Sequence, residues 1–215
     1  MKKTRPLILI TNDDGVSAPG LRALISVMEE LGEIVVVAPD TPQSAMGHAI
    51  TINNTLYLNK TSKENDSFLE YSFSCTPIDC VKLAVNEILK RKPDLCVSGV
   101  NHSSNSSINV IYSGTMSTTA EAGIEGIPAI GFLFLDFDWN ATFEPIKPYI
   151  RKITLEVLES GLPEEVILNV NFPKLEKKRS KESGFVVKQK HVGWRNLIKE
   201  KHLKEEIIFG LPENL

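Results

Sequence analysis

The stretch from Leu7 to Asp40, LILITNDDGVSAPGLRALISVMEELGEIVVVAPD, predicts two buried strands and the helix that joins them. LILIT is a continuous apolar run, which is typical of a strand that is buried on both faces of a parallel sheet. PGLRALISVMEELG has the period of an amphipathic helix, with Pro19 near its start and Gly32 at its end. EIVVVAPD is a second apolar run. Strand, helix and strand in this order predict a right-handed βαβ unit.

The same alternation continues to Pro173. The predicted helices are PIDCVKLAVNEIL, GTMSTTAEAGIEG and FEPIKPYIRKITLEVLESG, and the predicted strands are PDLCVSG, IPAIGFLFL and EEVILNVNFP. ITINNTLYL and SFLEYSFSC alternate between apolar and polar residues, so we expect antiparallel strands there, at an edge or in a hairpin. The whole pattern predicts an α/β fold with an open, mostly parallel sheet flanked by helices and carrying antiparallel hairpin extensions. Such sheets bind ligands beyond the carboxyl ends of their strands.

The pattern changes after Pro173, and we therefore expect two regions. Residues 1–173 are predicted to form the catalytic core. Residues 174–215 are predicted to form an extended C-terminal segment, in which KLEKKRSKES is a charged loop and FVVKQK a strand.

Composition excludes several classes of function. The chain has 215 residues and a formal net charge of -3, so we expect neither a nucleic-acid polymer nor a membrane surface as partner. The apolar run near the N-terminus is too short for a signal peptide, and no stretch is long enough to span a bilayer. The three cysteines show no metal-type pairing. A reduced, cytoplasmic protein is the resulting expectation.

Two adjacent carboxylates follow the first predicted strand. Asp13 and Asp14 repel each other, and a divalent cation between them would relieve that repulsion. The loops after the other strands offer amides and hydroxyls, and hard oxygen ligands of this kind suit Mg²⁺, Mn²⁺ or Ca²⁺. Gly15 allows the backbone to turn sharply beside the carboxylates. Asp-Asp-Gly is also a common turn, however, so the motif alone does not establish a metal site.

A second predicted feature is an anion site where YSGT opens a helix. Backbone N–H groups at a helix start, together with the Ser113 and Thr115 hydroxyls, can hold a phosphate. A metal beside such a site suggests phosphate chemistry. His48 and His102 are expected to be surface or structural residues, and Cys75 and Cys80 small core residues.

The sequence resembles the SurE (survival protein E) nucleotidases from about Leu7 to Pro173. The segments that carry the resemblance occur in order: ILITNDDG, APGLRAL, VVVAPD, PQSAMGHAIT, CTPIDCVKLA, PDLCVSGVNHSSN, YSGTMSTTAEA and LNVNFP. The resemblance implies a Rossmann-like core and metal-dependent hydrolysis of nucleoside 5′- and 3′-monophosphates. Some members of the family also shorten polyphosphate.

The resemblance also implies roles for individual residues. The implied metal ligands are Asp13, Asp14, Ser44 and Asn101. The implied phosphate-binding residues are Asn105, Ser113, Gly114 and Thr115. Asn12 adjoins the ligands and would orient a ligand or a water, so Asp13 and Asn12 are the predicted catalytic residues. The family usually has arginine at Gln43 and glycine at Ala45 and Ser103, which changes the charge and the loop geometry around the phosphate.

The resemblance implies one divalent metal ion per subunit, Mg²⁺ or Mn²⁺, and a homodimer or homotetramer. The family's subunits exchange C-terminal elements, and this chain stops before the last strand of that pattern. The predicted reaction is attack of water on a phosphomonoester, with an aspartyl-phosphate route as the alternative. His102 is the candidate general acid.

Two other classes of protein share parts of the pattern. A response-regulator receiver domain also binds Mg²⁺ with an acidic pair after its first strand, but it needs a phosphorylatable aspartate at the end of a later strand. DLCVSGVN ends in Ser98, Gly99 and Asn101 instead. Half of a nucleotide-sugar glycosyltransferase would need a second nucleotide-binding domain, for which 215 residues leave little room.

Overall fold

The computed structural model describes residues 5–43, 46–102, 111–136, 138 and 141–174, together with the backbone of two strands at 185–191 and 206–209. Its centre is a nine-stranded sheet, which confirms the predicted α/β fold. In chain order the strands are β1 Leu7–Thr11, β2 Glu33–Pro39, β3 Leu58–Lys60, β4 Leu69–Phe73, β5 Leu95–Asn101, β6 Ala129–Phe134, β7 Val166–Phe172, β8 Phe185–His191 and β9 Glu206–Phe209. Across the sheet the order is β3-β4-β2-β1-β5-β6-β7-β8-β9.

Six neighbouring strands, from β4 to β7, run parallel to one another. Antiparallel pairs extend the sheet at both edges: β3 pairs with β4 on one side, and β8 and β9 follow β7 on the other. These pairs confirm the predicted hairpin extensions, and FVVKQK lies within β8. The charged segment KLEKKRSKES lies outside the described residues from its second residue onward. The division of the chain at Pro173 stays a prediction.

Four α-helices of the described residues cover the two faces of the sheet. They are α1 Pro19–Leu31, α2 Pro77–Leu83, α3 Gly114–Ile124 and α4 Lys147–Ser160. A π-helical turn, Ala84–Ile88, continues α2, and a 3-10 turn, Glu144–Ile146, leads into α4. None of the helices in this part of the chain is long and apolar enough to cross a bilayer.

The sheet carries an apolar core on each face, because alternate side chains of a strand point to opposite sides. Ile8 and Ile10 of β1 pack under α1 and α4, whereas Leu7 and Leu9 pack under α2 and α3. Complete burial of one such side chain contributes about 1.5–3 kcal/mol, so both cores hold β1 firmly in place. Cys80 belongs to the second core, which confirms its predicted role.

The prediction of a strand over ITINNTLYL is wrong for most of its length, since β3 starts only at Leu58. The structure gives the reason. The backbone N–H and the hydroxyl of Thr51 both donate to the carboxylate of Asp79, at the start of α2, instead of to a neighbouring strand. Ile50 and Ile52 remain exposed, so the apolar half of the alternation is not buried.

The order of the strands locates the ligand site, because the connections from β1 and from β5 cross the sheet in opposite directions. From β1 the chain passes through α1 to β2 on one side, whereas from β5, on the other side of β1, it passes through α3 to β6. Adjacent crossovers that leave in opposite directions open a crevice at the carboxyl ends of the two strands. The residues that follow β1 and β5 therefore line the expected ligand site.

Candidate active site

Asp13 is the centre of the crevice, since side chains from two other segments, α3 and β5, meet at its carboxylate. The hydroxyl of Thr115, in the first turn of α3, donates to Oδ1 at 2.7 Å. The amide Nδ2 of Asn101, the last residue of β5, lies 3.2 and 3.3 Å from the two carboxylate oxygens. The predicted convergence of the loops after β1 and β5 is thus observed for these residues. Asp13 itself is only 3% exposed.

The start of α3 lies directly against Asp13. A Cβ atom built on Gly114 would fall 2.4 Å from Asp13 Cβ and 2.6 Å from Asp13 Oδ2. Such distances leave no room for a side chain, so glycine is required at this position for the helix start to approach the carboxylate. A buried acidic group is thereby held at a helix N-terminus, where the helix dipole favours negative charge.

Burial and mutual repulsion act on both carboxylates. Burial raises the pKa of Asp13 above its ordinary value, against hydrogen bonds from Thr115 and Asn101 that lower it. Burial and then the charge of Asp13 raise the pKa of Asp14 to about 6, and an electrostatic contribution from the nearby His102 opposes that rise. The ionised pair is therefore costly without a counter-charge, and a divalent cation beside it would supply one.

The polar groups next to the pair also fit a cation. The Oδ1 atom of Asn12 is buried and has no hydrogen-bond partner within the described part of the chain. A buried acceptor of this kind is costly unless a donor or a cation meets it. Carboxylate and amide oxygens make a hard donor set that suits Mg²⁺ or Mn²⁺. Among the described residues, no group of three or more His, Cys, Asp or Glu side chains could hold a metal, so a site here would need amide or hydroxyl ligands in addition to the two carboxylates.

The loop after β1 is fixed by its own hydrogen bonds. The Nδ2 atom of Asn12 donates to the carbonyl of Gly15 at 3.0 Å, and Gly15 adopts φ +95°, which favours glycine. The backbone N–H of Val16 donates to Pro39 O, and that of Gln43 donates to Asp13 O, both at 2.8 Å. These hydrogen bonds join the loops after β1 and β2. The Asn12 side chain stabilises the turn after β1 through its bond to Gly15.

The start of α3 can serve as an anion site through its backbone. Ser113 is the N-cap, and its hydroxyl accepts from the N–H of Met116 at 3.1 Å. The Thr115 hydroxyl is fully buried and donates to Asp13, so it faces the carboxylate rather than solvent. Anion binding would consequently rely on the first N–H groups of the helix. The phosphate-binding roles of Ser113, Gly114 and Thr115 stay predictions, as do the catalytic roles of Asp13 and Asn12.

Two of the predicted site residues, Ser44 and Asn105, lie outside the described residues. Their roles as metal ligand and phosphate ligand stay predictions, as do those of Asp13, Asp14 and Asn101. His48 is exposed, in agreement with its expected place on the surface.

His102 follows Asn101 and lies at the edge of the crevice. Its Nδ1 lies 2.7 Å from the carbonyl oxygen of Asp136, just after β6, and its ring packs against Phe143 with centroids 4.7 Å apart. Asp136 also accepts from Lys174 at 2.9 Å. Sequence reasoning did not find Asp136, although its place after a predicted strand was a usable signal.

Comparison with known proteins found a matching family model and similar curated proteins. The family model described as Survival protein SurE matches residues 8–196. Two similar curated proteins, both named 5′-nucleotidase SurE, come from Flavobacterium johnsoniae and Flavobacterium psychrophilum. They are 74% identical over 181 residues and 76% identical over 171 residues, or 84% and 80% of this chain. The chain spans 70% and 66% of their respective lengths.

A solved structure shares the fold. The crystal structure of the SurE protein from Aquifex aeolicus superimposes with a TM-score of 0.73 at 34% sequence identity. The likeness covers 93% of this chain and 86% of that one.

Proposed function

This chain belongs to the SurE family, and on that premise we propose that it is a metal-dependent nucleotidase that hydrolyses the terminal phosphomonoester of nucleoside monophosphates. The observation that carries the proposal is the contact of Gly114 with Asp13, which sets a buried carboxylate against an anion-binding helix start. A cation beside that carboxylate and a phosphate at the helix start would be neighbours. Curated relatives named 5′-nucleotidase SurE support the same reaction.

The residues that would hold the cation are Asp13, Asp14 and Asn101, together with Ser44 as the resemblance implies. Among these, Asp13 is already oriented by Thr115 and Asn101. When bound, a divalent cation of this kind neutralises charge on a phosphoryl group and assists the ionisation of water. Mg²⁺ and Mn²⁺ are the ions we propose.

The chain's own groups would bind and orient the phosphate. The N–H groups at the start of α3 point along the helix axis toward the crevice, where they would hold phosphate oxygens. Asn12 keeps the turn after β1 closed, and Thr115 keeps the Asp13 carboxylate in place. Both carboxylates are committed to the cation in this arrangement, which favours attack by water over an aspartyl-phosphate. The strand beside β1 ends in Ser98, Gly99 and Asn101 without a carboxylate, which argues against a receiver domain.

The proposal is tested by substrate class. We expect phosphate release from AMP, GMP, CMP and UMP with kcat/KM values within about 100-fold of one another, a gap of about 2.7 kcal/mol, because the helix start grips a phosphate without reading a base. The diester 3′,5′-cyclic AMP should be a poor substrate, since it has one fewer free phosphate oxygen. Steady-state phosphate release measures both. Faster turnover of the cyclic diester than of every monoester would overturn the assignment. Short polyphosphate also presents a terminal phosphoryl group and belongs in the same series.

Gly114→Ala should lower kcat/KM for AMP at least about tenfold, because the added methyl group must displace either Asp13 or the start of α3. Gly161→Ala is the matched control. Gly161 lies beyond α4 with φ +73° and nothing within 4 Å of a built Cβ, so its change strains the backbone far from the crevice. The control should lose about 1–3 kcal/mol of stability, since φ +73° with ψ -174° is a conformation adopted almost only by glycine, and should keep its activity. Equal activity of the two variants would contradict the role of the Gly114 contact.

The assembly stays a prediction as well. The homodimer or homotetramer implied by the resemblance is proposed on the family alone, and sedimentation of the protein measures it directly.

A further inference from the structure

We propose that Tyr112, with Ile111 and Met46, forms an apolar shelf that takes the nucleobase of the substrate, an inference that rests on the proposed nucleotidase function. Tyr112 is the stacking residue of this shelf. The base would lie on its ring while the phosphate lies at the start of α3.

The first observation is exposure. Tyr112 is 62% exposed, Ile111 46% and Met46 42%, although all three are large apolar or aromatic side chains. Exposed residues of this type are unremarkable singly, but a group beside a polar crevice marks a binding surface. Tyrosine and methionine both offer large, polarisable contact area to a flat ring.

The second observation is that the two loops carrying the shelf touch each other. A Cβ built on Gly47 would lie 3.4 Å from the carbonyl oxygen of Ile111 and 4.0 Å from the Cα of Tyr112. Met46 is the neighbour of Gly47, so its backbone lies beside the Ile111–Tyr112 segment. The backbones of the two loops that carry the three side chains are therefore adjacent.

The third observation is the position of this surface relative to the phosphate. Tyr112 directly precedes Ser113, the N-cap of α3, and consecutive Cα atoms are about 3.8 Å apart. The loop carrying Met46 is tied to the same centre, because the N–H of Gln43 donates to the carbonyl of Asp13 at 2.8 Å. Both parts of the shelf thus adjoin the helix start that would hold the phosphate, and the base is the part of the substrate that offers a flat aromatic face to such a surface.

Stacking on Tyr112 is also consistent with hydrolysis of nucleoside monophosphates that carry different bases. Every base has a flat π-face, so an aromatic ring binds purines and pyrimidines without reading their edges. The shelf would therefore strengthen the binding of all nucleotides over that of phosphomonoesters without a base. Purines, with the larger ring area, should bind more tightly than pyrimidines.

The test compares AMP with ribose 5-phosphate, which keeps the phosphate and the sugar but lacks the base. We expect Tyr112→Ala to raise KM for AMP about tenfold and to change kcat/KM for ribose 5-phosphate by less than about twofold. Tyr112→Phe should keep wild-type values for both, because it keeps the ring. Tyr57→Ala is the matched control, since Tyr57 is 65% exposed on the segment before β3 and should leave both substrates unaffected.

The outcomes separate the inference from the nucleotidase proposal. An equal loss on AMP and ribose 5-phosphate in Tyr112→Ala, or no loss on either, overturns the shelf while the nucleotidase function stands. A change of oligomeric state in Tyr112→Ala, seen by sedimentation, assigns the surface to a second copy of the chain and also overturns it. Absence of phosphate release from AMP by the wild-type protein overturns the nucleotidase function itself and the shelf with it.

Discussion

We expect removal of divalent metal to lower the rate of AMP hydrolysis by at least about 1000-fold, and added Mg²⁺ or Mn²⁺ to restore it. The physical reason is the pair Asp13 and Asp14, whose pKa values are raised by burial and, for Asp14, by the neighbouring charge. Without a counter-charge this site repels an incoming phosphate. A bound cation stabilises the charge of a transferring phosphoryl group by several kcal/mol. A 1000-fold loss corresponds to about 4 kcal/mol.

The measurement is steady-state phosphate release after dialysis against EDTA, with the metal content of the protein determined in parallel. Protein treated with EDTA already saturated by Mg²⁺ is the control for effects of the chelator itself. A second readout does not depend on activity: Mg²⁺ at 100 times its Kd should stabilise the protein by about 2.7 kcal/mol in thermal unfolding. Full activity in protein shown to be free of metal would refute the metal role.

The sheet was largely predictable because its strands are buried on both faces. Runs such as LILIT and EIVVVAP can only be satisfied in the middle of a layered fold, so their positions follow from hydrophobicity alone. ITINNTLYL carries a weaker signal, since an alternating pattern in an exposed segment can be satisfied in other ways. There the carboxylate of Asp79, 28 residues away, took the hydrogen bonds of Thr51 that a strand partner would have taken.

The candidate site was predictable as far as it depends on strand ends. Asp13, Asp14 and Asn101 follow β1 or end β5, and strands of a parallel sheet share one carboxyl edge. The hydrogen bond from Thr115 to Asp13 was not predictable, because it depends on how closely α3 approaches the loop after β1. The glycine in YSGT was the available signal in the sequence. Its role, which is to let the start of α3 approach Asp13, is visible only in the structure.

Asp13→Asn and Asp14→Asn should each lower AMP hydrolysis about 100-fold or more without unfolding the protein. Each substitution removes one negative charge from the proposed cation site and nearly preserves the shape of the side chain. The loss corresponds to about 2.7 kcal/mol of transition-state stabilisation. The measurement is kcat/KM over a range of Mg²⁺ concentrations, where a lost ligand shifts half-saturation to higher metal.

Stability gives these variants a readout that a general folding defect would not reproduce. Burial disfavours the charged form of both carboxylates, so replacing either by a neutral amide removes a cost from the metal-free protein. The metal-free variants should therefore melt no lower than metal-free wild type, whereas Mg²⁺ should stabilise the wild type more than either variant. Asp66→Asn is the matched control, because Asp66 is exposed and its carboxylate accepts a hydrogen bond from the N–H of Lys63 at 2.6 Å, far along the chain from the crevice. Unchanged turnover of both site variants at low Mg²⁺ would exclude these carboxylates as ligands.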